Sequence, residues 1–452
     1  MKNTGKLLSL LMLGLTMFGS ISCTNDDDDD DDDINPPVVT PVGEIKTVTG
    51  KITANTTWSA TNQYLLSGFV YVESGATLTI EPGTIIKGDK TSKGSLIVQP
   101  GAKIVAVGTP DKPIIFTSNQ AAGQRKAGDW GGVVILGKAP VNKPNAVIEG
   151  ENQSVFGGTD AADNSGQLKY VRIEFAGIAF ETDKEINGLT FGGVGSGTEV
   201  DYVQVSNSGD DSFEWFGGAV NAKHLIAYRG LDDDFDTDNG FSGNIQYGFI
   251  LRDPAVADQA GDSNGFESDN DAAGSPATPQ TSAKFANVTL AMAEGTPNAK
   301  FNSAFRIRRN SAISVYNTLV TGAWPRSAVR IEGDPAIANF TSGKIKMDGN
   351  TVAITGTPAQ GVIEGTTLAL FAPAASKNKV AAVADLKLAT GYNSITAKPG
   401  LLPQAGSSLL TGGATLPAGF EANTVVGAFG ATDWTDKWAN WDPQNANYEI
   451  KK

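Results

Sequence analysis

A chain of 452 residues with 53 glycines and 21 prolines, and few helical patterns, fits many short strands joined by turns better than a row of ordinary globular domains. Its formal charge of −14 argues against a nucleic-acid partner. The lone cysteine, Cys23, rules out an internal disulfide, and the lone histidine, His224, rules out a His-rich zinc site.

Lys2 and Lys6 precede an apolar run from Leu7 to Phe18. The run is too short to span a bilayer and has the layout of a secretory signal, residues 1–22. Ser20-Ile21-Ser22-Cys23 follows and resembles a bacterial lipobox, which implies cleavage before Cys23 and lipidation of its thiol. The alternative is an ordinary signal peptide with an incidental cysteine. Asp26 to Asp33 come next. Like charges in such a run cannot pack, so residues 23–43 are expected to form a disordered tether that Pro36, Pro37 and Pro41 stiffen.

From Val70 onward, alternating apolar residues predict half-buried strands. Val70-x-Val72-Glu73-Ser74-Gly75 returns as Leu78-x-Ile80-Glu81-Pro82-Gly83 and as Leu96-x-Val98-Gln99-Pro100-Gly101. Proline has no N–H for a ladder and glycine tolerates positive φ, so the Pro-Gly pairs belong at corners. The pattern predicts a right-handed parallel β-helix over residues 44–420, with roughly 14–17 rungs about 4.8 Å apart. Solenoid ends need covers. Lys46 to Gln63 is expected to cap the first rung. Residues 421–452, with Trp434, Trp438 and Trp441, are expected to form a lid on the last one. Lys379 to Tyr392 has the composition of a short helix in a loop.

Between Val200 and Glu332 one short pattern occurs five times: Phe213-Glu214-Trp215-Phe216, Phe235-Asp236-Thr237-Asp238, Phe266-Glu267-Ser268-Asp269, Phe305-Arg306-Ile307-Arg308 and Val329-Arg330-Ile331-Glu332. Alternate strand residues face opposite ways. The leading apolar residues should therefore stack inward, and Glu214, Asp236, Glu267, Arg306 and Arg330 should stack outward.

Several longer segments identify a likeness. Gly128-Asp129-Trp130-Gly131-Gly132-Val133-Val134-Ile135-Leu136-Gly137, Tyr170-Val171-Arg172-Ile173-Glu174-Phe175, the run from Gly209 to Gly218 and the closing Asp433-Trp434 to Asn445 resemble a family of Bacteroidota β-helix lipoproteins. The resemblance covers nearly all of the mature chain. It implies an outer-membrane lipoprotein, often encoded beside a TonB-dependent receptor, with no agreed activity. Acidic residues just after the lipidated cysteine resemble a surface-export signal in such proteins; a solvated spacer facing the periplasm is the alternative.

The acidic ladder carries the chemistry. Asp234, Asp236 and Asp238 on one strand face would lie about 6.8 Å apart, with the next rung about 4.8 Å away, and bare carboxylates at that spacing repel. Three readings remain open. Asp211, Asp234, Asp236, Asp238, Asp262, Glu267 and Asp269 could hold Ca²⁺, which takes six to eight oxygens. Arg306, Arg308, Arg309 and Arg330 could neutralise them instead. Or the row is a hydrated set of turn residues. Asp234-x-Asp236-x-Asp238 opens like an EF-hand loop, but Asn239 and Ile245 break that motif. Glu214, Trp215, Phe216, Arg306, Arg308 and Arg330 are the candidate contacts for an extended ligand, a glycan or another nutrient.

Many parallel β-helices are pectate lyases or polygalacturonases. Gly209-Asp210-Asp211 and Arg306-Ile307-Arg308 are faintly similar to polygalacturonase motifs, but the Asn-Thr-Asp and Gly-His-Gly segments are missing. The expected function is therefore ligand binding at the cell surface, accessory to an outer-membrane receptor. A calcium-dependent polysaccharide lyase or glycoside hydrolase is the alternative, and a structural rod or adhesin is third.

Overall fold

The computed structural model describes residues 43–181 and 184–450. The signal 1–22, Cys23 and nearly all of the acidic tether lie outside the described residues. The chain winds into a parallel β-helix with three columns of strands. Gln63–Val72 bends across the first two columns and Thr77–Ile80 enters the third. The next circuit then repeats the path, with Gln63 opposite Ile85, Val70 opposite Leu96 and Leu78 opposite Ile104. Alternation drives this geometry. Leu78, Ile80, Leu96, Val98 and Ile104 point inward and are fully buried or nearly so, each contributing about 1.5–3 kcal/mol of apolar burial.

The longest column holds twelve stacked strands, from Ile45–Ile52 to Lys379–Val380, fewer than the 14–17 rungs expected. Long excursions between strands, such as residues 137–165 and 269–283, use up chain without adding rungs. After Val380 the chain leaves the ladder. Leu386 and Leu409 pack on the outside against Leu319, Ala353 and Val426.

Both expected end covers turn out differently. Ile45–Ile52 and Thr56–Trp58 pair in parallel with the strands that follow, so this segment is the first rung itself, with Trp58 stacked on Tyr64 at 4.8 Å. The tryptophan-rich C-terminus is a strap along the flank. Trp438 and Trp441 bury against Ile226, Tyr228, Phe249 and Leu251, which face outward from the first column. The strap continues back to the opening rungs, where the Tyr448 carbonyl accepts from Gln63 Nε2, Tyr448 packs on Ile85 and Ile115, and Glu449 pairs with Lys87 at 2.9 Å. Lys379 to Tyr392 opens with the strand Lys379–Val380, and its only helical piece is the 3₁₀ turn Val383–Leu386. The longest α-helix among the described residues, Asp334–Thr341, has proline in its first turn, where the missing N–H costs nothing.

Candidate functional site

The second column carries the site. Phe213, Phe235, Phe266, Phe305 and Val329 are register partners in sequence and are buried, with successive phenylalanine rings 4.7–5.4 Å apart. This inward stack fixes the outward row one residue on. Thr190, Glu214, Asp236, Glu267, Arg306, Arg330 and Glu364 stand on successive rungs.

The row divides into two halves. In the later half every acid has an arginine. Arg306 pairs with Asp262 (3.1 Å), Glu267 (3.3 Å) and Glu332 (2.9 Å). Arg308 pairs with Glu267 and, at 2.9 Å, with Asp269, which also takes Arg309 at 2.7 Å. Arg330 and Arg326 hold Glu332 and Glu364. Five arginines thus meet five carboxylates. A cavity of about 360 Å³ opens at one edge of this half, lined by Arg306, Arg308, Arg309 and Glu332.

In the earlier half no arginine among the described residues forms an ion pair with the carboxylates of Asp210, Asp211, Glu214, Asp232, Asp233 or Asp236. Within this set Arg252 donates only to the Asp232 main-chain carbonyl. Asp211, Glu214 and Asp236 have carboxylate oxygens within 4.8 Å of one another, and so do Asp210, Asp211 and Asp232. Asp211 belongs to both trios, so five carboxylates form one continuous group. The Oδ1 of Asp236 is buried and has no hydrogen-bond partner. Glu214 accepts from Asn187 Nδ2.

Part of the group is fixed by the turns between columns. Asp211 N–H donates to Asn187 Oδ1 (3.2 Å), Asp233 N–H to Asp211 Oδ1 (2.8 Å), Asn264 N–H to Asp233 Oδ1, and Ser303 N–H to Asn264 Oδ1 (3.2 Å). This rung-to-rung ladder satisfies turn amides that the strands cannot. It uses one oxygen of Asp211 and one of Asp233, and locks the aspartates in place.

Withdrawal from water and mutual repulsion raise the whole group. Burial, then the charges of Glu185 and Glu149, pushes Asp210 up to about 8. Burial, then Asp210, does the same for Asp232. Asp233 rises to about 7 and Asp238 to about 6, both mainly through burial. Asp211, Glu214 and Asp236 are held well above the usual carboxylate range by burial and then by their acidic neighbours. Groups so arranged bind either protons or a cation.

The structure sorts the expected site residues. Asp211, Glu214 and Asp236 do come together. Asp238 lies on the next outward position of the same strand, accepting from Asn239 N–H at 2.6 Å. Asp234 is a correction. It is fully buried, pairing with the equally buried Arg252 at 3.0 Å and accepting from Ser212 Oγ at 3.2 Å. It lies in the turn just before the strand Phe235–Asp238, where Arg252 of the first column takes it up. Asp262, Glu267 and Asp269 are corrections of another kind, since arginines already neutralise them. Trp215 is corrected as a ligand platform: as the second residue after Phe213 it points inward, fully buried between Phe191 and Phe241. Phe216 faces outward but is covered by Val134, Leu136 and Phe156. Asp210 and Asp232 are the additions, and their place in the turns just before each repeat was the available signal.

His224 sits in a separate aromatic ladder, stacked between Tyr202 (4.2 Å) and Tyr247 (4.9 Å), with Nδ1 2.7 Å from Asp201. Its ring packs on Trp434 of the strap, a structural role.

The five carboxylates supply only oxygen donors, as a hard cation such as Ca²⁺ requires, and the orphaned Asp236 oxygen fits that use. Among known families, a model described as a pectate-lyase like beta helix domain matches residues 50–396. No curated protein matches the chain.

Proposed function

The chain belongs to the pectate-lyase-like β-helix family, and we propose that it binds an extended glycan along the outer wall of the second column, with Ca²⁺ held by Asp211, Glu214 and Asp236. The observation that carries this reading is the contrast along one row. Every carboxylate from Glu267 onward has an arginine, whereas the five before it face one another. A bound cation would offset their repulsion, and its remaining coordination positions would take hydroxyl or carboxylate oxygens of a sugar. Arg306, Arg308 and Arg330 each engage two or three carboxylates through two of their nitrogens, and their third nitrogen would offer a donor farther along the same chain of sugars.

The sequence supports a place for this activity. The apolar run, Cys23 and the aspartate tether fit a lipid-anchored protein of the outer membrane, facing outward and delivering its ligand to a TonB-dependent receptor. A second reading, as a polysaccharide lyase or glycoside hydrolase, draws on Asp233 and Asp238. Their carboxyls are raised to about 7 and about 6, the range suited to proton transfer near neutrality.

The test is retention of the purified protein on immobilised acidic and neutral polysaccharides, with Ca²⁺ or with EDTA, while the soluble fraction is assayed for unsaturated products and new reducing ends. Calcium-dependent retention without products supports the binding reading. Unsaturated products would make the protein a lyase, and reducing ends a hydrolase. Neither retention nor products would leave a structural rod and overturn the proposal.

A further inference from the structure

At the same edge of the second column as Asp211 and Asp233, but farther along the axis, lies a cleft of about 480 Å³. Its walls are the turns that lead into four consecutive strands, through Asp262, Asn302, Arg326 and Gln360. Successive rungs are about 4.8 Å apart, so the cleft runs about 14 Å along the axis. Phe301 closes its floor, held beneath by the Arg252 guanidinium at 4.8 Å.

The charges in the cleft do not cancel. Asp262 is neutralised by Arg306 at 3.1 Å and held by Asn302 Nδ2 at 2.6 Å. Arg326, which lines the cleft, grips Glu364 through Nε (2.8 Å) and Nη2 (2.7 Å), and its Nη1 has no acceptor among the described residues. Lys300 is exposed, and no carboxylate lies within ion-pair distance of its ammonium among the described residues. Its stem lies across Gly261, where a Cβ would come within 3.4 Å of the lysine chain. Gly261 has φ +103°, a conformation open mainly to glycine. The loop is thus shaped so that the lysine can cross it and hang its charge over the cleft.

We propose that this cleft is a second binding site, taking a singly charged oxyanion on a hydroxyl-bearing ligand, such as a carboxylated or sulfated sugar unit. Lys300 supplies the uncompensated charge and Arg326 Nη1 a directed donor, while Asn302 and Gln360 offer amides to hydroxyls. The site does not depend on the cation proposed for the acidic group.

The experiment is isothermal titration of the full protein in EDTA with glucuronate, glucose 6-sulfate and glucose. Working in EDTA keeps the acidic group free of metal, so failure here is separate from failure of the calcium reading. The expected result is weak saturable binding of one or both anions and none of glucose. Removing a charge-assisted hydrogen bond in Lys300→Ala should weaken the anion about tenfold. Ala359→Trp, filling the mouth from an exposed position, should abolish binding. Binding by carboxylate alone or by sulfate alone assigns the preferred oxyanion within the proposal. No binding of either anion, equal binding of glucose, or unaltered binding in both Lys300→Ala and Ala359→Trp would overturn it.

Discussion

Replacing Asp236 by asparagine should stabilise the metal-free protein. Its carboxylate lies within 4.8 Å of those of Asp211 and Glu214. A pair of unit charges at that distance repels by about 0.9 kcal/mol at the dielectric of water and by about 3.5 kcal/mol at an effective value near 20. The strand is half-buried here, and partial protonation relieves part of the repulsion, so a net gain of about 1–2 kcal/mol is expected. An asparagine amide can also donate to a neighbouring carboxylate, which the orphaned Asp236 Oδ1 cannot do. Calcium should remove the advantage. A site filled a hundredfold above its dissociation constant adds about 2.7 kcal/mol to the wild type, and the variant lacks a ligand. Calorimetric melting of both proteins, in EDTA and in saturating Ca²⁺, reads this directly. The variant should melt higher in EDTA and gain less from calcium. A variant that melts lower in EDTA would refute the repulsion argument. Equal calcium shifts in both proteins would remove Asp236 from the site.

Other outcomes follow from the same geometry. Asp210, Asp232, Asp233 and Asp238 have folded-state pKa values raised to between about 6 and about 8, so the folded protein holds protons that the unfolded chain has lost. Their contribution is fully present below pH 4 and is lost as pH rises through 6 to 8; metal-free melting should therefore be lower at pH 8 than at pH 5.5, and calcium should narrow the difference. Because bound cation displaces those protons, titrations at pH 7 in buffers of different ionisation enthalpy should reveal proton release. Arg252→Met leaves Asp234 buried without its partner and should cost about 3–5 kcal/mol in urea unfolding, much of it recovered in Arg252→Met/Asp234→Asn; additive losses would contradict the pairing. Trp441→Ala removes a side chain only 4 % exposed from beneath the strap and should cost about 3–5 kcal/mol, with enhanced proteolysis after residue 423.

The register of the second column could be read from the spacing of Phe213, Phe235, Phe266 and Phe305, because one face of a strand repeats at every rung. The same alternation placed Glu214, Asp236 and Glu267 outward. It also places Trp215 inward, two residues after Phe213, where a ligand cannot reach it. Alternation puts Asp234 on the face of Asp236 only if the strand begins before Phe235; the turn ends there, and Arg252 on the first column captures it. That contact joins separate columns and leaves no periodic mark. The strap is invisible for a related reason. Tyr448 meets Gln63 across 385 positions, and nothing local in Trp434 to Tyr448 says which surface it will cover. The split between arginine-paired and unpaired acids was legible as two blocks of charge, but only the reach of Arg306 and Arg308 backward to Glu267 and Asp269 shows where the pairing stops.

The most direct test of the account is calcium titration by calorimetry of the metal-free protein beside two variants. Glu214→Gln/Asp236→Asn alters the unpaired acids, and Asp262→Asn alters an exposed acid that Arg306 already neutralises. The account predicts saturable binding to the wild type, retained in Asp262→Asn and lost in the double variant. Absence of binding to the wild type, or equal binding by all three proteins, would contradict it.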